Sequence, residues 1–233
     1  MPRSSLYGGR DPRELPTYGV GDAARYLHTP AATLRSWFFG RTYPRAQGGL
    51  GSFKRLINPP EASSRLSFLN LVEAHVLRAL RTQHGVRVRE VRSALGFAER
   101  DLGIDHLLLS DKLLTGEGEI FLDHYSGLIN LSRSGQMAMR GVLQAYLKRV
   151  ERDDRHIPIR LYPFLRGADD GGPPAVVIDP RVSFGHPVLA GTGITTAALV
   201  QRIDAGESVA DLASDYDISE EQVCHAVLFE KAA

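Results

Sequence analysis

Residues 18–37 constrain the fold more than any other stretch: Tyr18-Gly19-Val20-Gly21-Asp22-Ala23-Ala24-Arg25-Tyr26-Leu27-His28-Thr29-Pro30-Ala31-Ala32-Thr33-Leu34-Arg35-Ser36-Trp37. Val20, Ala23, Ala24 and Leu27 recur at helical spacing over 19–28. Thr29 then stands as the cap of a second helix, with Pro30 at its first position, where a missing N–H costs nothing. Leu34, Trp37 and Phe38 follow at i, i+3 and i+4, so one face of that helix turns inward. Gly40 stops it. Ala32, Arg35, Ser36 and Phe39 are left on the outward side, with Thr33 at its edge. The spacing predicts a helix-turn-helix. A helix N-terminus offers free N–H groups and partial positive charge, both suited to phosphate. Arg35 is placed for phosphate or guanine, and the small Ala32 and Ser36 permit close approach to base edges. The competing reading is a helical hairpin packed for stability alone. The capped turn, the polar face and the basic segment that follows agree with one another against it.

Residues 41–66 are rich in Gly, Pro and Arg. They read as a loop or β-hairpin wing carrying Arg41, Arg45, Lys54, Arg55 and Arg65. Ser67 opens a long helix over 68–84, and another is expected over 87–98. Before these, residues 1–16 form a basic arm punctuated by Gly and Pro. Charge follows the same division. Residues 1–100 carry 16 Lys/Arg against 7 Asp/Glu, and residues 101–233 carry 12 against 20. A nucleic-acid half and a half with another task would produce this asymmetry.

The second half is less regular. Ile120-Phe121-Leu122 and Leu128-Ile129-Asn130-Leu131, with Tyr125-Ser126-Gly127 between them, read as a hairpin. Ser134 is the expected cap of a helix reaching Val150. Asp169-Asp170-Gly171-Gly172-Pro173-Pro174 reads as a linker. Beyond it come a strand at 176–178, a Gly/Pro loop over 180–193, and helices near 196–205, 208–215 and 220–230, the last opened by a Ser219/Gln222 capping box. The expected organisation is therefore an arm (1–16), a winged helix-turn-helix domain (17–100), a hairpin and helix middle (101–168), a linker (169–174) and a separate small three-helix domain (175–233), helix-turn-helix-like in its layout. The fold class is mainly α with small β-hairpins. On this layout, removing 175–233 would spare DNA binding.

Two resemblances add to this. The run 18–37 with Arg65-Leu66-Ser67-Phe68 resembles the winged helix-turn-helix of the MerR family. Thr33-Leu34-Arg35 matches that family's Thr-Leu-Arg signature, and Arg65-Leu66-Ser67 matches its step out of the wing. By this resemblance Arg35 and the wing cations contact the DNA backbone, although Ser36-Trp37 replaces two aromatic residues and the wing is longer than usual. Asp179-Pro180-Arg181-Val182-Ser183-Phe184-Gly185-His186-Pro187 and Ala190-Gly191-Thr192-Gly193-Ile194 resemble a short domain of unknown function with the pattern "dPrv-fGkP-iaGTrI", common in antitoxins paired with PIN-domain ribonucleases. His186 and Gly193 replace a Lys and an Arg of that pattern. The whole chain thus resembles a VapB-type antitoxin.

That resemblance implies operator DNA and a PIN-domain toxin as partners, and a two-fold homodimer addressing paired half-sites. Ala32, Thr33, Arg35, Ser36, Arg41, Lys54, Arg55 and Arg65 are the candidate DNA contacts. Residues 175–233 hold three Lys/Arg against nine carboxylates, which opposes DNA and favours a protein partner or dimer contact. A toxin's acidic centre would accept cations, so Arg155, Arg160, Tyr162, Phe164 and Arg166 form a candidate toxin-facing strip; the other reading is an extended strand with exposed arginines. The eight histidines are dispersed and none makes an H-E-x-x-H spacing. Cys224 and His225 are adjacent on a helix and point about 100° apart. No enzyme, metal or cofactor is therefore expected. Cys224 is the single cysteine, the N-terminus lacks a secretory apolar region, and no run reaches the roughly 18 apolar residues of a membrane span; a cytoplasmic location is expected, with no membrane partner. The alternative reading is a MerR-like ligand-sensing regulator without a toxin, which would need an effector pocket in the middle region.

Overall fold

The computed structural model describes residues 9–45, 48–61, 63–82, 86–104, 106–115, 117–164 and 174–231. Most of the linker at 169–174 and of the arm at 1–16 lies outside them. In chain order the elements are α1 (Val20–Tyr26), α2 (Ala31–Phe39), β1 (Arg41–Pro44), β2 (Leu50–Phe53), α3 (Phe68–Thr82), α4 (Val88–Asp101), α5 (Glu117–Leu128), α6 (Arg133–Leu147), β3 (Val150–Arg152), β4 (Pro158–Leu161), β5 (Val176–Val177), β6 (Val188–Leu189), α7 (Thr196–Asp204), α8 (Val209–Tyr216) and α9 (Glu220–Lys231). The fold is mainly helical with two-stranded hairpins. Contacts divide it into two compact units, residues 1–34, 60–68 and 159–233 in one, and 35–59 and 69–158 in the other. The division falls inside α2, after Leu34.

In the first unit α7, α8 and α9 enclose Leu199, Leu212, Val223 and Ala226, with Leu189 from β6. Each helix has a side-chain start. Thr195 Oγ1 accepts from Ala198 N at 3.3 Å and Ser208 Oγ from Asp211 N at 3.1 Å. The Ser219/Gln222 box forms, with Ser219 N donating to Gln222 Oε1 at 3.0 Å and Gln222 N to Ser219 Oγ at 3.2 Å. The same unit contains α1, which packs on α9. Tyr26 stacks on Phe229 with ring centroids 6.2 Å apart, and His28 meets the same ring at 5.8 Å. Arg25 pairs with Glu230 at 3.0 Å, and Glu230 also accepts from Thr196 Oγ1 at 2.5 Å. Residues 175–233 are thus part of the support of the first helix of the helix-turn-helix. The expectation that they can be removed without cost to that motif gives way, because Tyr26 would lose Phe229.

The second unit is built on α3, whose Leu71, Val72, Val76, Leu77 and Leu80 are fully buried. Around it come Val91, Ala94 and Ala98 of α4, Phe121, Leu122 and Tyr125 of α5, and Met139 and Leu143 of α6. The hairpin expected at 120–131 is a helix instead. Phe121, Leu122 and Tyr125 fit helical spacing, Phe121 and Tyr125 stack at 5.8 Å, and the Tyr125 hydroxyl donates to Leu80 O at 3.0 Å. Tertiary burial outweighed the local strand propensity of the apolar triplet. The turn signal at 125–127 became the helix end, with Asn130 left-handed at φ 52°. The next helix is capped by Ser132, which accepts from Gly135 N at 3.2 Å, not by Ser134.

Candidate nucleic-acid interface

α2 begins where Pro30 O accepts Thr33 N at 2.8 Å and Leu34 N at 3.2 Å. Thr29, expected as its cap, donates its hydroxyl to Leu27 O at 3.0 Å. Leu34, Trp37 and Phe38 are buried, while Ala32 and Arg35 are exposed and Thr33 and Ser36 are partly so. The last turn is fixed from behind. Trp37 O accepts both Leu56 N at 2.7 Å and Ile57 N at 3.1 Å, and the Arg81 guanidinium covers the Trp37 ring at 5.4 Å. Burial lowers the pKa of Arg81.

Gly40 sends the chain from α2 into the wing. Its φ is +72°, and a Cβ there would lie 2.3 Å from Phe53 O, so only glycine fits. β1 and β2 pair antiparallel, with Arg41 opposite Phe53 and Tyr43 opposite Gly51. A Cβ at Gly51 would strike the Tyr43 ring at 2.5 Å. Tyr43 stacks on Phe53 at 4.7 Å, and Arg41 lies over Phe53 at 5.5 Å. Aromatic and cation–π contacts therefore hold a short hairpin that has little core of its own. Arg41, Lys54 and Arg55 are exposed, as is Arg45, which the candidate set omitted. Residues 35–59 contain those four cations and Arg35, and no Asp or Glu. Arg92, on α4, was also missed; it donates to Lys54 O and so braces the end of the wing. Only its place in the fold reveals that role. Leu50, at the wing end of β2, is 74% exposed.

Arg65, in the other unit, is exposed, but its guanidinium donates to Thr17 O, from Nε at 3.2 Å and from Nη2 more closely. It ties down the bridge in which Tyr18 and Leu66 exchange backbone hydrogen bonds at 2.9 and 2.7 Å.

The residues of the strip 155–166 separate. Arg155 is exposed in the turn after β3, where its N–H donates to Asp153 Oδ1 at 3.0 Å. Arg160 pairs with Asp179 at 2.9 Å, so its charge is matched by a nearly buried carboxylate. Tyr162 and Phe164 are half-buried, and Arg166 lies outside the described residues. The sequence pattern around 179–194 has a scaffold role. Asp179 Oδ1 accepts from Arg181 N at 2.8 Å, Thr192 Oγ1 donates to Leu189 O at 2.9 Å, and a Cβ on Gly185 would meet the Tyr18 hydroxyl at 2.2 Å. Among the described residues no group of three His, Cys, Asp or Glu is placed to hold a metal, and no helix is long and apolar enough to cross a membrane.

A buried inward face on α2, an exposed outward one and a β-wing define a helix-turn-helix protein. Comparison with known proteins places it further. Residues 16–95 match the family described as "Putative DNA-binding HTH domain", and residues 176–229 match "Protein of unknown function (DUF433)". The chain is 30% identical over 235 residues to "Putative antitoxin VapB45" of Mycobacterium tuberculosis (strain ATCC 25618 / H37Rv), covering 92% of this chain and 93% of that one. The fold matches the X-ray crystal structure of Rv2018 from Mycobacterium tuberculosis with a TM-score of 0.65 at 24% identity, over 92% of this chain and 98% of the other. The chain belongs to the VapB45 antitoxin family.

Proposed function

We propose that this chain is the antitoxin of a type II pair, which neutralises a PIN-domain ribonuclease and represses its own operon by binding operator DNA. The observation that carries the DNA half is the acid-free run 35–59, with Arg35, Arg41, Arg45, Lys54 and Arg55 on a helix end and a hairpin. Cations without carboxylate neighbours attract phosphate without internal competition. Arg35 takes phosphate or a guanine edge, with Ala32, Thr33 and Ser36 near base edges, while Arg41, Lys54 and Arg55 take backbone phosphates. Arg65 serves mainly to hold Thr17. The toxin half rests on the antitoxin named among the relatives and on the acidic surface of 175–233. Exposed Glu220 and Glu221 open α9 and would repel DNA there. The protein acts in the cytoplasm as a homodimer on paired half-sites, and without enzymatic activity of its own.

Two measurements test the reading. The full chain should bind a fragment of its own promoter in fluorescence anisotropy, more tightly than a scrambled duplex. Co-expression should restore growth arrested by the ribonuclease encoded beside it, and the two should co-purify. Equal affinity for both duplexes removes the operator; continued arrest with no co-purification removes the toxin.

A further inference from the structure

The second unit contains a cavity of about 210 Å³ behind the wing. Leu56, Ile57, Leu95, Ile104, Leu107 and Leu108 form its apolar wall. Its polar side is Glu73 on α3, Glu99 on α4, Asn58 and His106. Glu73 is the fixed point. Its side chain is 7% exposed; Oε1 lies 3.1 Å from His106 Nδ1, and Oε2 accepts from Asn70 Nδ2 at 3.0 Å. Asn70 in turn donates to Asn58 O at 3.0 Å, so the carboxylate is locked to one wall of the cavity. An ionised carboxylate has about four lone-pair sites, and these two neighbours occupy two. A second carboxylate, Glu99, stands at the exposed end of α4. No Lys or Arg is among the described residues that line the space.

We propose that this cavity binds a small primary-amine cation with a short apolar tail. Two carboxylates with no fixed cation beside them select positive charge, and the leucine and isoleucine wall selects an aliphatic body over a second polar group. At roughly 30 Å³ per water the space equals about seven waters, which admits a handful of heavy atoms and excludes a nucleotide. The position gives the ligand a lever. Leu56 and Ile57 are the residues whose N–H groups bond Trp37 O at the end of α2, and they directly follow the last wing cations. An occupant that pushes on them shifts the end of α2 and the base of the wing. This coupling rests on the DNA-binding reading; the binding site itself does not.

The probe is n-butylammonium, titrated into the full chain by calorimetry, with 1-butanol and sodium butyrate as controls at matched ionic strength. Saturable binding of the ammonium, about tenfold or more tighter than the alcohol, is expected, since a charge-assisted hydrogen bond carries that much. Glu73→Gln should weaken it by about tenfold. Glu99→Gln, at an exposed position, should weaken it less, and Leu95→Phe should block it by filling the space. The last two keep the test intact if Glu73→Gln unfolds. No saturation, equal binding of ammonium and alcohol, or unchanged affinity in both folded Glu99→Gln and Leu95→Phe overturns the site. Promoter affinity is then measured with and without saturating ammonium. A shift of severalfold is expected. Unchanged promoter affinity in a protein that binds both ligands overturns the coupling and leaves the DNA reading standing.

Discussion

Arg35 and Gly40 sit five residues apart and do opposite work. Arg35 projects from α2 into solvent, and Gly40 lets the chain leave that helix. Arg35→Ala should weaken promoter binding by roughly tenfold to a hundredfold, the range for one lost base or phosphate anchor. Its thermal melt should not move; equal affinity in anisotropy would remove Arg35 from the interface. Gly40→Ala should cost about 2 kcal/mol or more, from the left-handed backbone and the collision with Phe53 O. An unchanged urea midpoint would contradict this. His75 makes a third case. Burial holds its pKa down at about 3, and the ring nitrogen Nε2 lies 3.1 Å from Tyr146 O, to which only a protonated nitrogen can donate. The unfolded imidazole titrates near about 6.5, so below that pH the unfolded state binds a proton that the folded state refuses. Stability is whole above about 6.5 and falls on acidification toward about 3, by at most about 1.4 kcal/mol per pH unit from this group. Urea melts from pH 7.5 to 5 should follow that slope, and a folded His75→Gln should flatten it.

At the scale of elements, helices with their own apolar stripe were legible. α1, α2, α3, α4 and the three C-terminal helices appear close to their expected bounds, because Leu34/Trp37/Phe38 or the Ser219/Gln222 box needs no distant partner to be read. α5 was not legible. Ile120-Phe121-Leu122 is apolar without a local period, and what settles it is Leu80 O, forty-five residues before the Tyr125 that donates to it. The wing cations were visible as composition, but Arg92 bracing Lys54 O and Arg65 spent on Thr17 O depend on chain return. So does the packing of α1 on α9. Phe229 is fully buried against Tyr26 and His28. Phe229→Ala should cost about 3–5 kcal/mol, the range for a truncated core aromatic. It should also weaken promoter binding, although residue 229 lies far along the chain from α2. A protein of unchanged melting temperature would refute the packing argument.

Across the whole molecule, charge is divided along the chain more sharply than composition suggests. A net charge of +1 conceals a basic first hundred residues and an acidic remainder. The contacts follow a different line, since α1 and α9 share one unit while the wing and α3 to α6 share the other. Charge pattern was therefore readable from sequence, whereas the grouping of segments was not, because it depends on residues such as Phe229 that look like ordinary core. The central claim is that the cations of 35–59 meet phosphate. The most direct test is promoter affinity as a function of salt, for the native chain and for Arg41→Ala/Lys54→Ala/Arg55→Ala. Log affinity should fall linearly with log salt, and the triple variant should lose up to about 3 units of slope, near 0.9 for each phosphate released. A flat response in the native chain, or the same slope in both proteins, would contradict it.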